Sequence, residues 1–338
     1  MDKEANREFI SKTESLVKPQ DVTAISFLGD FNKILPKKMQ EKTMMKGRAK
    51  VPYMGFIVDP YCIFLAYRIK DRAAAEAMLP RGYELAETSV FKDQSACPMV
   101  VISAFSARTS AFIGNRLEFY IIARRKDTGR ISWIITDYET NTNSYDPKNC
   151  FSGYTSDPAV FTTTPYGELL ADFAGKKNGM QFSLLADVEK GEWRDLNGEL
   201  WVEGNLSIDY GGELKVESSK PFSLIFDPFL MKKALHVPSG GIEIRKNSYL
   251  GGIIDAAGPI CAAVFPFSQH FIIKKDLEGN AVANEEDLNR RVMDFLHCSG
   301  VKTMSGDDIK KPILRGMLVS ALVTYGIIIF LAIKLLSG

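Results

Sequence analysis

From Gly316 to Ile333 the chain runs GMLVSALVTYGIIIFLAI, eighteen consecutive residues without a charge. As an α-helix, at about 1.5 Å per residue, they reach about 27 Å, close to the hydrocarbon thickness of a bilayer. The competing reading is a buried C-terminal helix, but a core helix of this length normally shows a polar face. Lys334 follows, placed to snorkel toward headgroups, and then Leu335 and Leu336. Upstream, Lys302, Lys310, Lys311 and Arg315 outnumber Asp307 and Asp308. Basic residues flanking a span stay on the cytoplasmic side, which puts the preceding bulk there. The N-terminus, Met-Asp-Lys-Glu-Ala-Asn-Arg-Glu, is too charged to begin a signal peptide. With few residues after the span, the expectation is a single-pass tail anchor carrying a cytoplasmic main domain.

A second uncharged run, Ala256 to Ile273, contains Gly258, Pro259, Pro266, Gln269 and His270. Prolines there would break the backbone ladder a lipid-exposed helix depends on. It reads as buried sheet and turn, and the Asn205-Leu206-Ser207 sequon becomes an accidental match in a cytoplasmic body. Lys and Arg total 42 against 41 Asp and Glu, a formal net charge of +1, so no global field recruits nucleic acid. The five cysteines, Cys62, Cys97, Cys150, Cys261 and Cys298, are widely spaced with no C-x-x-C, which fits neither a disulfide framework nor a zinc site.

Four segments follow. Residues 1–50 read as a helical arm, with Phe27, Leu28, Phe31, Ile34 and Leu35 at helical spacing ahead of a basic stretch. That arm either lies on the membrane or packs on the body. Residues 51–298 are mostly strand: Tyr61–Tyr67, Met99–Phe105, Leu117–Ala123 and Ile131–Thr136 come first. Gln181–Leu185, Glu199–Ile208, Glu213–Glu217, Ile242–Arg245 and Ala262–Phe267 follow. Asp127-Thr128-Gly129 makes a hairpin turn. Helices interrupt at Asp71–Met78 and Glu285–Leu296. Residues 299–315 form a polar, basic linker, and 316–336 the transmembrane anchor. The fold class predicted is β-rich α+β: a curved antiparallel sheet or open barrel with peripheral helices and one C-terminal transmembrane helix.

The usual catalytic signatures are missing: no G-x-x-x-x-G-K-[ST], no G-x-G-x-x-G, no G-x-S-x-G and no H-E-x-x-H. No metal or cofactor is expected. What remains is a polar cluster. Strand alternation puts Glu118, Tyr120 and Ile122 on one face of an otherwise apolar run. A carboxylate on an inner face must be paired, shifted in pKa, or set in a cavity; the bland reading is an edge-strand glutamate facing water. The stretch from Tyr138 to Gly153 then reads as a long Asn-rich loop, of a length that is often functional. Asp146, Lys148, Cys150, Ser156 and Asp157 lie in and just beyond it. A solvated loop is the plain alternative for Lys148 and Asp157, and a small buried hydrophobe for Cys150.

At these residues the stretch from about Tyr61 to Ala159 resembles the acetoacetate decarboxylase superfamily. Leu79-Pro80-x-Gly82-Tyr83-Glu84, Val90-Phe91, Arg116-Leu117-Glu118 and Ile134-Ile135-Thr136-Asp137-Tyr138 carry the likeness. It implies a cone-like antiparallel barrel with an apolar interior, and Glu118 in the place of the family's active-site glutamate. In true decarboxylases a Gly-x-Pro-Lys-Lys-like segment supplies a lysine that forms a Schiff base with a β-keto acid, its pKa depressed by an apolar site and a neighbouring cation. Here the segment reads Gly153-Tyr154-Thr155-Ser156-Asp157-Pro158, with Ser156 at the lysine position and Asp157 beside it. Neither forms an imine.

Three readings compete. The first is a membrane-anchored barrel binding a small apolar or lipid-like molecule without Schiff-base chemistry. Glu118 would face its cavity, with Arg116, Tyr120, Tyr138, Cys150 and Ser156 as ligand contacts. The second is a divergent lyase or isomerase acting on a carbonyl or β-keto acid substrate, using Glu118 as acid or base with Lys148 or Asp157 assisting. The third is an interaction scaffold at a membrane surface. The partners expected are a small ligand and the membrane, not nucleic acid, and a homo-oligomer is left open.

Overall fold

A computed structural model describes residues 2–20, 22–23, 53–109, 112–144, 154–203, 206–210, 222–255, 258–274, 282–301 and 306–337. Helix α1 (Lys3–Leu16) starts where Asp2 accepts hydrogen bonds from the amides of Glu4 and Ala5, satisfying donors that a helix leaves open at its first turn. The apolar, β-branched and aromatic runs that follow fold as strands β1 (Tyr53–Val58) and β2 (Cys62–Arg68). Helix α2 (Arg72–Ala77), capped by Asp71, separates them from β3 (Tyr83–Leu85). The long central strands are β4 (Met99–Thr109), β5 (Phe112–Arg125) and β6 (Ile131–Thr140), with β7 (Asn143–Ser144) after them. Next come β8 (Ser156–Thr163), β9 (Glu168–Gly175), β10 (Gln181–Asp187) and β11 (Glu192–Asp195). The remaining strands are β12 (Ser207–Tyr210), β13 (Phe222–Ser223), β14 (Ile225–Phe226), β15 (Lys233–Val237), β16 (Ile242–Asn247), β17 (Cys261–Phe265) and β18 (Gln269–Lys274). Helices α3 (Glu285–His297) and α4 (Gly306–Leu336) follow.

Fourteen of these strands form one sheet along the path β11-β15-β17-β2-β4-β5-β6-β12-β13, with β1, β3, β7, β14 and β18 joined at its sides. A second, four-stranded sheet runs β16-β10-β9-β8. The hairpin at Asp127-Thr128-Gly129 joins β5 to β6, with Gly129 at φ +69°, a conformation glycine adopts without steric cost. The expected barrel does not close. Strands β11 and β13, the ends of the path, have four and two residues, and short edges are one way sheets stop. Upstream of β12 the chain leaves the sheet in a π-helical turn at Glu199–Glu203, where a strand from Glu199 to Ile208 was expected. Strand β12 then pairs parallel to β6, which interrupts the antiparallel order before β13 joins β12 antiparallel. The expected strand Glu213–Glu217 lies outside the described residues, as do Phe27, Leu28, Phe31, Ile34 and Leu35.

Strand alternation sorts the core into two layers. Leu117, Phe119 and Ile121 of β5 pack with Phe161, Leu169, Phe173, Phe182 and Leu184 of the small sheet. The opposite face carries Phe64, Tyr120, Trp133, Trp201 and Phe265, and is capped by Phe9 of α1 and Leu288, Val292 and Phe295 of α3. Of the two expectations for the N-terminal arm, residues 3–16 follow the one that packs on the body: Phe9 is fully buried, 5.6 Å from the ring of Phe295. Lys12 Nζ donates to the carbonyls of Phe295, Leu296 and Cys298 at 2.6, 2.7 and 2.9 Å, meeting the orphan acceptors at the C-terminus of α3.

Helix α4 begins at Gly306, inside the segment expected to be linker, and Leu314–Leu336 is long and apolar enough to cross a membrane, with mean hydropathy 2.4.

Gly55 of β1 lies under the end of α1: a Cβ there would stand 2.8 Å from Val17 Cγ2. Gly55→Val is therefore expected to destabilise by about 1–3 kcal/mol through overpacking, read as a lower urea midpoint with α1 the first segment cut in limited proteolysis.

Candidate functional site

Three residues of β5, at alternate positions and so on one face, make the site. Arg116 Nε stands 2.5 Å from Glu118 Oε1, and the Tyr120 hydroxyl donates to Glu118 Oε2. The side chain of Arg116 is wholly buried and that of Glu118 is 7% exposed. A guanidinium in that position is tolerable only if its charge is matched, and Glu118 matches it. The rings of Phe112 and Tyr138 lie 5.0 and 4.7 Å from the guanidinium carbon, adding cation–π contact on a desolvated cation. Tyr138 reaches this face because it opposes Glu118 across the β5–β6 ladder, while Ser103 of β4 opposes Glu118 on the other side.

Burial, the Glu118 charge and the Glu118 hydrogen bond all push the Tyr120 phenol well above its ordinary pKa, against smaller lowering effects from Ser103 and Arg116. The phenol is thus held as a donor to the carboxylate. Burial, and after it the charge of Glu118, raise the nearby Cys62 thiol in the same direction.

Beside Tyr120 this face is built of aromatic rings. The ring of Trp133 meets that of Tyr120 edge-on at 5.3 Å. Phe64 stands 5.5, 5.3 and 5.4 Å from Trp133, Trp201 and Phe265. A cleft of about 180 Å³ opens further along β2 and β4, lined by Ala66, Val90, Met99 and Ile260 with Arg68, Ser89, Gln94 and Ser95.

Glu118, Arg116, Tyr120 and Tyr138 thus come together. Ser156 does not join them: its hydroxyl hydrogen-bonds Glu139 Oε2, which also accepts from Thr155 at 2.7 Å. Asn178 donates to Glu139 Oε1 at 2.8 Å. Glu139 opposes Leu117 across the ladder, so this cluster lies on the face turned to the small sheet, and Ser156 belongs to that sheet as the first residue of β8. Asp157 is exposed, accepting from the Tyr154 hydroxyl at 3.4 Å; the same alternation turns it away from Ser156. Lys148 and Cys150 lie outside the described residues. Glu139 was missed by sequence reasoning, although its position next to Tyr138 in a strand puts it on the opposite face from Tyr138. Among the described residues no group of three or more His, Cys, Asp or Glu could hold a metal ion.

No protein-family model matches the chain, and no curated protein matches it. Among solved structures it is similar to an acetoacetate decarboxylase from Legionella pneumophila, at 12% identity over 66% of this chain and 84% of that one, with a TM-score of 0.38. It is also similar to a structure described as a study of acetoacetate decarboxylase, at 9% identity over 66% of this chain and 87% of that one, with a TM-score of 0.39.

Two outcomes test the site's energetics. Arg116→Met alone leaves a buried carboxylate unpaired and is expected to cost about 3–5 kcal/mol, whereas Arg116→Met with Glu118→Leu recovers most of it; chemical denaturation of the single and double variants checks this. A phenol whose folded pKa is raised adds stability that is complete below the unfolded value of about 10 and lost as pH rises toward the folded value. The native protein is therefore expected to weaken above about pH 10, and Tyr120→Phe to flatten that decline in a pH series of unfolding midpoints.

Proposed function

We propose that this protein is a membrane-tethered, decarboxylase-like binder that holds a small apolar or lipid-like molecule on the aromatic face of its large sheet, without Schiff-base catalysis. The observation that carries the reading is the state of the buried charge. Arg116 is the one buried Lys or Arg among the described residues, and its partner Glu118 has one oxygen on Nε and the other on a phenol. A carboxylate so engaged favours holding over proton shuttling, since a general base needs an oxygen within reach of a substrate proton. Ser156, in the position the family gives to its imine-forming lysine, hydrogen-bonds Glu139 on the opposite face. The cleft of about 180 Å³ supplies room on the aromatic face itself, with Ala66, Val90 and Met99 belonging to the same core as Tyr120.

The tether is α4. Its exposed apolar side chains, including Leu322, Ile328 and Phe330, would be solvated at large cost in water and are at home in hydrocarbon. The basic residues on its N-terminal side support a cytoplasmic main domain.

Borohydride reduction of the full chain with acetoacetate, followed by peptide mass mapping, is expected to give no lysine adduct; an adduct at Lys148 would overturn the non-catalytic reading. Carbonate extraction of membranes expressing the full chain is expected to leave it in the pellet, and to release a form truncated before Gly306.

A further inference from the structure

We propose that the cleft beside Arg68 is an oxyanion site for phosphate groups, with Arg68 as its charge-bearing residue. The inference rests on the reading that this face of the sheet takes a small molecule, and it names the chemistry that would be recognised there. Its lining comes from Ala66 and Arg68 at the end of β2, Met99 at the start of β4, Ser89, Val90, Gln94 and Ser95 of the segment between β3 and β4, and Ile260.

The lining contains one cation, two hydroxyls, one amide and four apolar side chains, and no carboxylate. Arg68 is exposed, and its guanidinium makes no ion pair with a described residue; most other arginines in the described body do, Arg72 with Glu87 and Arg124 with Glu199 among them. A planar guanidinium offers paired N–H donors whose spacing matches phosphate oxygens. The Ser89 hydroxyl, which accepts from Asn197 Nδ2 at 3.3 Å, keeps its own proton to donate, and Ser95 adds a second hydroxyl. Donors from two separate segments of the chain suit a tetrahedral oxyanion better than a flat carboxylate, which presents two oxygens in one plane.

The segment that carries the Ser89 hydroxyl is fixed in advance. Asn197 Nδ2 also donates to the Ser89 carbonyl at 3.1 Å, and the Asn197 amide to the Val90 carbonyl at 2.9 Å. Trp201 Nε1 reaches that same carbonyl at 3.2 Å, and the Lys92 amide donates to the Asp195 carbonyl at 3.0 Å. A segment held this way loses little freedom on binding. At about 30 Å³ for a water in the liquid, a cleft of 180 Å³ takes a phosphate and its first carbons, while longer chains stay outside. Its apolar lining of Ala66, Val90, Met99 and Ile260 suits the carbon side of an ester.

The test is calorimetric titration of the full, delipidated chain in a maltoside detergent with inorganic phosphate, dimethyl phosphate, dihexanoylphosphatidylglycerol, butyrate and hexanol. Dimethyl phosphate is expected to bind at least tenfold more tightly than butyrate. Arg68→Gln is expected to weaken it at least tenfold with the unfolding midpoint unchanged, and Ser95→Ala to weaken it by a smaller factor. Tighter binding of the short-chain lipid than of inorganic phosphate assigns a headgroup as the source, and the reverse order assigns free phosphate; either supports the site. Butyrate binding as tightly as dimethyl phosphate, an undiminished Arg68→Gln, or binding of hexanol alone would overturn the oxyanion site and leave the binding reading standing. Silence from every probe would overturn both.

Discussion

A single pair of opposite charges, Arg116 and Glu118, sets the terms for the rest of the large sheet. Both belong to one strand and lie two residues apart, so their contact is made by local geometry before any tertiary packing is needed. Once buried, the pair demands company: rings over the guanidinium, a phenol on the second carboxylate oxygen, and strands β4 and β6 in a register that brings Ser103 and Tyr138 alongside. A one-residue slip of either neighbour would put apolar side chains against the charges and turn Tyr138 away. The pair therefore specifies registry as much as it contributes stability, a role buried ionic groups fill in some proteins.

The two faces of that sheet divide the polar chemistry of the chain. On one, Glu118 is satisfied from its own strand; on the other, Glu139 is satisfied by Thr155, Ser156 and Asn178 from the start and edge of the small sheet. The two glutamates come from adjacent strands yet are separated by the thickness of the sheet. Each closes its own network, and the more open polar ground on the aromatic side is displaced along the strands toward Arg68.

Much of this was readable in the residues. The alternation from Leu117 to Ala123 placed Glu118, Tyr120 and Ile122 on one face, the prolines at 259 and 266 turned an uncharged run into β17 and β18, and Asp127-Thr128-Gly129 marked a hairpin. Strands β8 and β9 went unread, because Ser156–Thr163 and Glu168–Gly175 mix polar and apolar residues without a strong apolar run; they are strands because β10 pairs with β9 and buries Phe161, Leu169 and Phe173 beneath β5. The grouping of Ser156 and Asp157 with Glu118 rested on nearness along the chain and on the lysine position of the family resemblance, and pairing in a different sheet overrode it. Strand spacing left a curved sheet and an open barrel both standing, and the barrel implied by the family resemblance is the part that fails, since closure depends on how the ends of the path meet, which no local pattern encodes.

The grip of Lys12 on the last carbonyls of α3 has a mechanical side. The first helix of the chain and the last helix before the apolar α4 are fastened to each other as well as to the sheets. Any load entering through α4 reaches the body by way of α3, and there it meets a three-pronged hold backed by the edge-to-face rings of Phe9 and Phe295. Tension is thus shared between two helices and spread across a broad contact, so the sheet edges are spared the peeling force that a bare terminal strand would have to bear.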